Sequence, residues 1–222
     1  MTDRAAFLAA VRSTPRGADP GLPDGANAPD APTELRAGET AVDRFQQETE
    51  AVSATVSRAG HAQAAAVVLA ALQAEEARSV ALTADLGSLL EPIRAGLVEA
   101  GLAVVDYAAV KRHELGPLDA TVTGCIAAVA ATGSIVTSAA GAGRAGAVIA
   151  PTHICLVREQ QILPGLHALL SGSGLADAGS LIALQSGPSR SADIEKTLIL
   201  GVHGPGRVHV VIINDEGPSS LA

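Results

Sequence analysis

The 222-residue sequence has no tryptophan and only three aromatic residues, Phe7, Phe45 and Tyr107. Proteins that bind single-stranded nucleic acid need aromatic platforms and a basic groove. A cage for a quaternary ammonium group needs several rings. This composition supplies neither. Basic charge is also scarce: 15 Lys+Arg face 23 Asp+Glu, a formal net charge of −8, so no nucleic-acid partner is expected. Cys125 and Cys155 are the only cysteines. Two thiols make neither a disulfide framework nor, by themselves, an iron–sulfur site, which usually takes four thiolates. The longest apolar run, residues 64–72, is about half of what spans a bilayer. The opening MTDRAAFLAAVRS carries acid or base on both sides of its apolar stretch and reads as an amphipathic helix rather than a signal peptide. A cytoplasmic protein with no membrane span is the expectation.

What remains is aliphatic. Hydrophobic residues make up 48% of the chain, and Ala alone fills 45 positions. A core of Ala, Val, Leu and Ile suits helices packed closely on a sheet. Residues 1–13 read as a short helix. Residues 14–38 hold Pro15, Pro20, Pro23, Pro29 and Pro32 with little to bury, which predicts an extended or mobile linker. Residues 39–222 read as one α/β domain. Val42, Phe45, Thr49, Val52 and Val56 recur at helical spacing, predicting a helix from Glu39 that Gly60 closes. A second helix is expected over 61–77, a strand over 79–83, a helix over 86–100 and a strand over 101–105. This alternation predicts a doubly wound parallel sheet. Strand-like runs dominate the second half (121–131, 134–138, 153–157, 180–185, 197–202 and 207–213), with helices expected after Pro164 and near 191–195. The sheet is therefore expected to become mixed or antiparallel toward the C-terminus.

Four segments carry candidate chemistry. In Gly187-Pro-Ser-Arg-Ser-Ala-Asp-Ile-Glu195, Ser189 or Ser191 can cap a following helix, and Asp193 suits its first turn. The segment is either an anion or phosphate site using free helix N–H groups and Arg190, or an ordinary capped turn with Arg190 paired to Asp193. His203 stands at a strand end between turn residues and is either an acid/base or ligand group or a ring bonded to its own loop. His203's neighbour in sequence, His209, reads as a packed strand residue. In Pro151-Thr-His153-Ile-Cys155, the imidazole and thiol share one strand face. They can begin a metal site or a Cys–His pair, but zinc needs three or four ligands, so no metal is assigned and Cys155 reads as a buried thiol. Thr132-Gly133-Ser134 and the run from Gly141 to Arg144 form glycine-rich turns. Arg144 either receives a carboxylate or phosphate or is a solvated loop charge. The glycines are read as tight turns rather than a cofactor loop.

Taken in order, Thr132-Gly-Ser134, Pro151-Thr-His-Ile154, Gly187 to Glu195 and Gly201-Val-His-Gly-Pro205 resemble the LUD domain, and more closely the lactate utilisation protein C family, over roughly residues 40 to 215. The resemblance implies a fold similar to the sugar-phosphate isomerase and CoA-transferase superfamily. It also implies an accessory role beside iron–sulfur partner proteins that oxidise L-lactate to pyruvate. Clusters are then expected in the partners, with no cofactor assigned to this chain. The alternative is a stand-alone enzyme or binder of a phosphorylated or carboxylated small molecule. The family commonly places Glu before Thr-Gly, where this chain has Ala131. In the related transferases a carboxylate in a comparable turn does covalent chemistry, so Ala131 argues against that mechanism.

Overall fold

A computed structural model describes residues 35–36, 38–111, 114, 117–140, 146–171, 175, 178–179, 181–192, 198–200 and 204–214, with 190–192 and 198–200 as backbone. The expected helix over 1–13 and nearly all of the expected linker lie outside these residues, as do Arg144, Asp193 and His203.

Helix α1 (Ala41–Ala51) starts where Thr40 caps the Asp43 amide, and it buries Phe45 and Thr49. It ends well before Gly60. Ser53 takes a left-handed φ of 68°, and the chain re-enters as strand β1 (Thr55–Gly60). The predicted helix from Glu39 to Gly60 is thus corrected to a helix and a strand. Val52 and Val56 continue the helical spacing by coincidence; the β-branched pair Thr55 and Val56 favours a strand. The second predicted helix is correspondingly shorter. A 3₁₀ turn (His61–Gln63) leads into α2 (Ala64–Ala74). Strand β2 (Ser79–Leu82), a 3₁₀ segment (Ala84–Leu89), α3 (Leu90–Glu99) and β3 (Ala103–Asp106) follow.

The remaining strands are β4 (Ala120–Thr123), β5 (Ala127–Val129), β6 (Ser134–Ser138), β7 (Thr152–Arg158), β8 (Ile162–Leu163), β9 (Ile182–Gln185), β10 (Arg190–Ala192), β11 (Leu198–Leu200) and β12 (Arg207–Asn214). Helix α4 (Leu166–Ser171) follows Pro164. The fold is α/β, with a six-stranded sheet in the order β1-β12-β7-β4-β2-β3, parallel at every pairing. The late strands β7 and β12 are central in it. Antiparallel pairing lies instead in a separate sheet, β8-β5-β6-β9, and in the β10–β11 ribbon. The helix predicted near 191–195 is overturned at its start. Arg190, Ser191 and Ala192 pair as a strand with Leu200, Ile199 and Leu198, so they provide no helix N-terminus.

Alternation sorts the parallel sheet's two faces. On one face Val80, Leu82, Ala120, Val122, Ile154, Leu156, Val211 and Ile213 pack with buried residues of α2 and α3. On the other, Cys155, Val157, Val210 and Ile212 pack against Phe45 of α1 and against Ala128, Ile135 and Ile162 of the second sheet. Among the described residues no helix is long and apolar enough to cross a membrane. Phe45 is fully buried and fills the gap between α1 and the sheets. Phe45→Ala is expected to lower stability by about 3–5 kcal/mol, read as a fall in the urea midpoint with an unchanged slope.

Candidate functional site

The second sheet brings together residues that the sequence scatters. Register places Gln185 beside Ile135, and Ser134 and Ser186 next to these share a hydrogen bond of 2.6 Å between hydroxyls. Thr132 Oγ1 joins Ser134 Oγ at 2.7 Å. Gly133, at φ 60°, packs on the backbone of α1 at Glu48 and Thr49, and its carbonyl accepts from the Thr49 hydroxyl at 3.3 Å. Gly187, at φ 79°, rests on Val52: a Cβ there would lie 2.5 Å from the Val52 carbonyl oxygen. The Ser189 amide donates to Pro205 O at 2.8 Å, joining the Gly187–Ser189 turn to the turn at Gly204. Thr132, Gly133, Ser134, Gly187 and Ser189 thus line the contacts among α1, the second sheet and the start of β12. Arg190 lies in β10.

His153 stands at the inner end of this seam and is fully buried. Gln185 Oε1 accepts from Nδ1 at 2.9 Å, and Nε2 accepts the Thr123 hydroxyl at 2.8 Å. Both ring nitrogens are satisfied by neutral groups, so the ring is held as the uncharged Nδ1–H tautomer. Burial lowers its pKa to about 4, with the Gln185 bond opposing the shift. Cys155 points from the same face, and its thiol donates to Gly124 O at 3.6 Å. Among the described residues, no three His, Cys, Asp or Glu side chains gather as metal ligands.

A second group of polar residues lies at the carboxyl edge of the parallel sheet, and the sequence reading missed it. After β2 the chain turns right to β3, whereas after β4 it moves left to β7 and then β12. Neighbours β2 and β4 therefore flank the topological switch point, where α/β sheets open a crevice for ligands. Asp85, just after β2, accepts the Thr83 hydroxyl and the Gly124 amide, the latter at 3.0 Å. Arg158 ends β7, and its Nη2 meets Ser88 Oγ at 3.4 Å. Ser88 in turn meets His61 Nε2 at 3.1 Å. Gln161 donates to Cys125 O at 2.7 Å and accepts from the Arg158 amide at 2.9 Å. Asp85, Gly124, Cys125, Arg158 and Gln161 line a void of about 20 Å³. The Cys155 thiol beside Cys125, then burial, raise the Cys125 pKa well above the ordinary thiol value.

At the opposite, amino edge a cleft of about 230 Å³ opens between α2 and the starts of β1, β7 and β12, lined by Thr55, Glu75, Thr152, Arg207 and His209. As its strand position suggested, His209 is packed, bonded to Ser57 Oγ at 2.9 Å. Gly141-Ala-Gly-Arg-Ala-Gly146 has the G-x-G-x-x-G spacing. A dinucleotide fingerprint must open a helix after a strand, yet the described residues that follow are a turn at 146–148 and then β7.

Acid tests the state of His153. Its folded pKa lies below the unfolded value of about 6.5, so below that value the unfolded chain takes up a proton that the folded chain does not. Stability due to the neutral ring is intact above about pH 6.5 and falls as pH drops toward about 4, by about 3 kcal/mol at the limit. His153→Gln is expected to flatten this part of the pH dependence when urea midpoints are compared at neutral and mildly acid pH.

Comparison with known proteins places the architecture. A protein named "Lactate utilization protein C" from Deinococcus radiodurans is 37% identical over 106 residues, 45% of this chain and 49% of that protein. One of the same name from Exiguobacterium is 36% identical over 104 residues, 44% of this chain and 45% of that protein. The matched region spans about half the length of these curated relatives. A crystal structure of a DUF162 family protein from Deinococcus radiodurans superposes with a TM-score of 0.58 at 24% identity, covering 78% of this chain and 96% of that one, and so shares the fold. The LUD domain profile matches residues 42–213, from the first turn of α1 to the end of β12: the chain belongs to the LUD domain family.

Proposed function

We propose that this protein is an accessory component of a bacterial system that oxidises L-lactate to pyruvate, acting beside iron–sulfur proteins. The observation that carries the reading is the LUD match over residues 42–213, taken with relatives named for lactate utilisation. Converting lactate to pyruvate removes two electrons and two protons, and those electrons need a carrier. This chain's own thiols suit that task poorly. Cys125 and Cys155 are both buried, and each donates to an oxygen, Gln161 Oε1 and Gly124 O respectively. Two thiols are also half of the usual cluster ligand set. Iron–sulfur chemistry therefore falls to the partners, and this chain is left to bind, position or assemble.

Removing the gene from its host is expected to abolish growth on L-lactate while leaving growth on glucose intact, with a plasmid copy restoring it. Affinity isolation of the tagged protein without oxygen is expected to recover iron–sulfur proteins. Unimpaired growth on L-lactate as sole carbon source overturns the reading.

A further inference from the structure

We propose that the switch-point crevice is a carboxylate-binding site that the chain keeps shut with its own Asp85. Two donors converge there from neighbouring strand ends. The Thr83 hydroxyl follows β2, the Gly124 amide follows β4, and both donate to the same oxygen, Asp85 Oδ1. Arg158 arrives from the end of β7 and lines the same void. The Thr83 hydroxyl and the Gly124 N–H already hold a carboxylate, and Gly124 and Arg158 line the void beside it; a hydroxyl, a backbone N–H and a guanidinium together form a donor set that recognises a carboxylate. The carboxylate in place is the protein's own. The void left over, about 20 Å³, admits one water and no organic acid while Asp85 stays.

The segment carrying Asp85 is built as a strap over the carboxyl edge. Residues 84–89 pass above β4 and β7, turning at Gly87 with φ 58° and ψ −126°. The Asp85 backbone seats on Gly124 so closely that a Cβ there would lie 2.5 Å from Asp85 O. Outside, the strap is held by exposed Ser88, whose bonds to Arg158 and His61 are 3.4 and 3.1 Å long. Leu86 and Leu89 anchor the strap in the apolar core, and among the described residues the Asp85 carboxylate is the side chain that ties its inner face to Gly124. A ligand carboxylate that takes over Thr83 and Gly124 releases this tie and brings its charge to Arg158. An internal competitor acts at high effective concentration, so the wild-type chain binds short carboxylates weakly until the Asp85 side chain is displaced. That the ligand is a short 2-hydroxy or 2-oxo acid, rather than any short carboxylate, rests on the lactate reading above.

Melting of the full chain in sodium formate, acetate or L-lactate, against sodium chloride at matched ionic strength, tests the site. Asp85→Ala removes the internal carboxylate. It is expected to melt below wild type and to be restored by formate at concentrations about tenfold below any that move wild type. Adding Arg158→Gln is expected to weaken that rescue. An Asp85→Ala chain that responds to formate no more than to chloride, or whose rescue ignores Arg158, overturns the site. Should the alanine variant not fold, Asp85→Ser leaves the space open beside a small polar group and is expected to bind formate more tightly than wild type by calorimetry; no gain overturns the site equally. Rescue by formate in a chain dispensable for growth on lactate overturns the lactate reading and leaves the site. Lost growth without rescue does the reverse.

Discussion

The second layer of this protein reaches the parallel sheet because backbone meets backbone at two glycines. A Cβ on Gly133 would stand against the Thr49 amide and the Glu48 carbonyl carbon, and one on Gly187 would stand 2.5 Å from Val52 O. Both positions have left-handed φ, where any other residue also pays a conformational penalty of about 1–2 kcal/mol. Helix α1 thus serves as a common rest for two turns lying 54 residues apart in sequence (Gly133 and Gly187). Once both turns sit on it, Ser134 and Ser186 are within hydrogen-bonding distance, and β9 delivers Gln185 to His153. Displacing either turn would break the hydroxyl chain and leave a buried imidazole half satisfied, which costs more than the bond itself.

That dependence suits a seam that, among the described residues, is built of hydroxyls, an amide and a neutral imidazole. An unpaired charge there would bear the full desolvation penalty, whereas neutral donors and acceptors can satisfy one another. Thr121, the register neighbour of His153, shows how tight the space is: its buried hydroxyl finds no partner among the described residues. The seam is therefore best understood as a brace that fixes the relative placement of the two sheets. Charged chemistry is displaced to the carboxyl edge, where Asp85 and Arg158 retain contact with water.

Much of the architecture was legible in the sequence. Runs such as Thr152 to Arg158 and Arg207 to Asn214 are apolar and β-branched along their length, as strands covered on both faces must be. Strand β1 was hidden because Val52 and Val56 extend the spacing of Val42, Phe45 and Thr49, so a period of three and four ran on past the point where Ser53 reverses the chain. Strands β6, β9 and β11 were expected as strands and β10 was not, and sheet membership depends on pairing that no local pattern encodes. The same limit applies to the sites. His153 was found because it stands two residues from Cys155 on one face of a strand. His61, Asp85, Ser88, Arg158 and Gln161 are spread across 100 residues and share only their position at or after the carboxyl ends of strands, which becomes a signal once the strand order is known.

Volume alone does not choose between the ends of the parallel sheet: an open cleft of about 400 Å³ lies beside Leu82 and Asp106 at the carboxyl edge, and one of about 230 Å³ lies at the amino edge. The amino-edge cleft exceeds the void beside Asp85, about 230 Å³ against 20 Å³, but its principal charges answer each other: Arg207 Nε lies 2.7 Å from Glu75 Oε2. His209 beside them is pushed by burial toward its neutral form. An anion entering there must break an existing ion pair to gain a cation. At the carboxyl edge the converging groups are donors from three different strands, and the carboxylate that meets Thr83 and Gly124 comes from a strap resting on a glycine. A site already holding the right functional group needs only an exchange of like for like, so its small free volume reflects occupancy by Asp85 rather than a lack of capacity. On this reasoning the polar seam fixes the sheets, the amino edge closes on its own ion pair, and ligand chemistry belongs where β2 and β4 part.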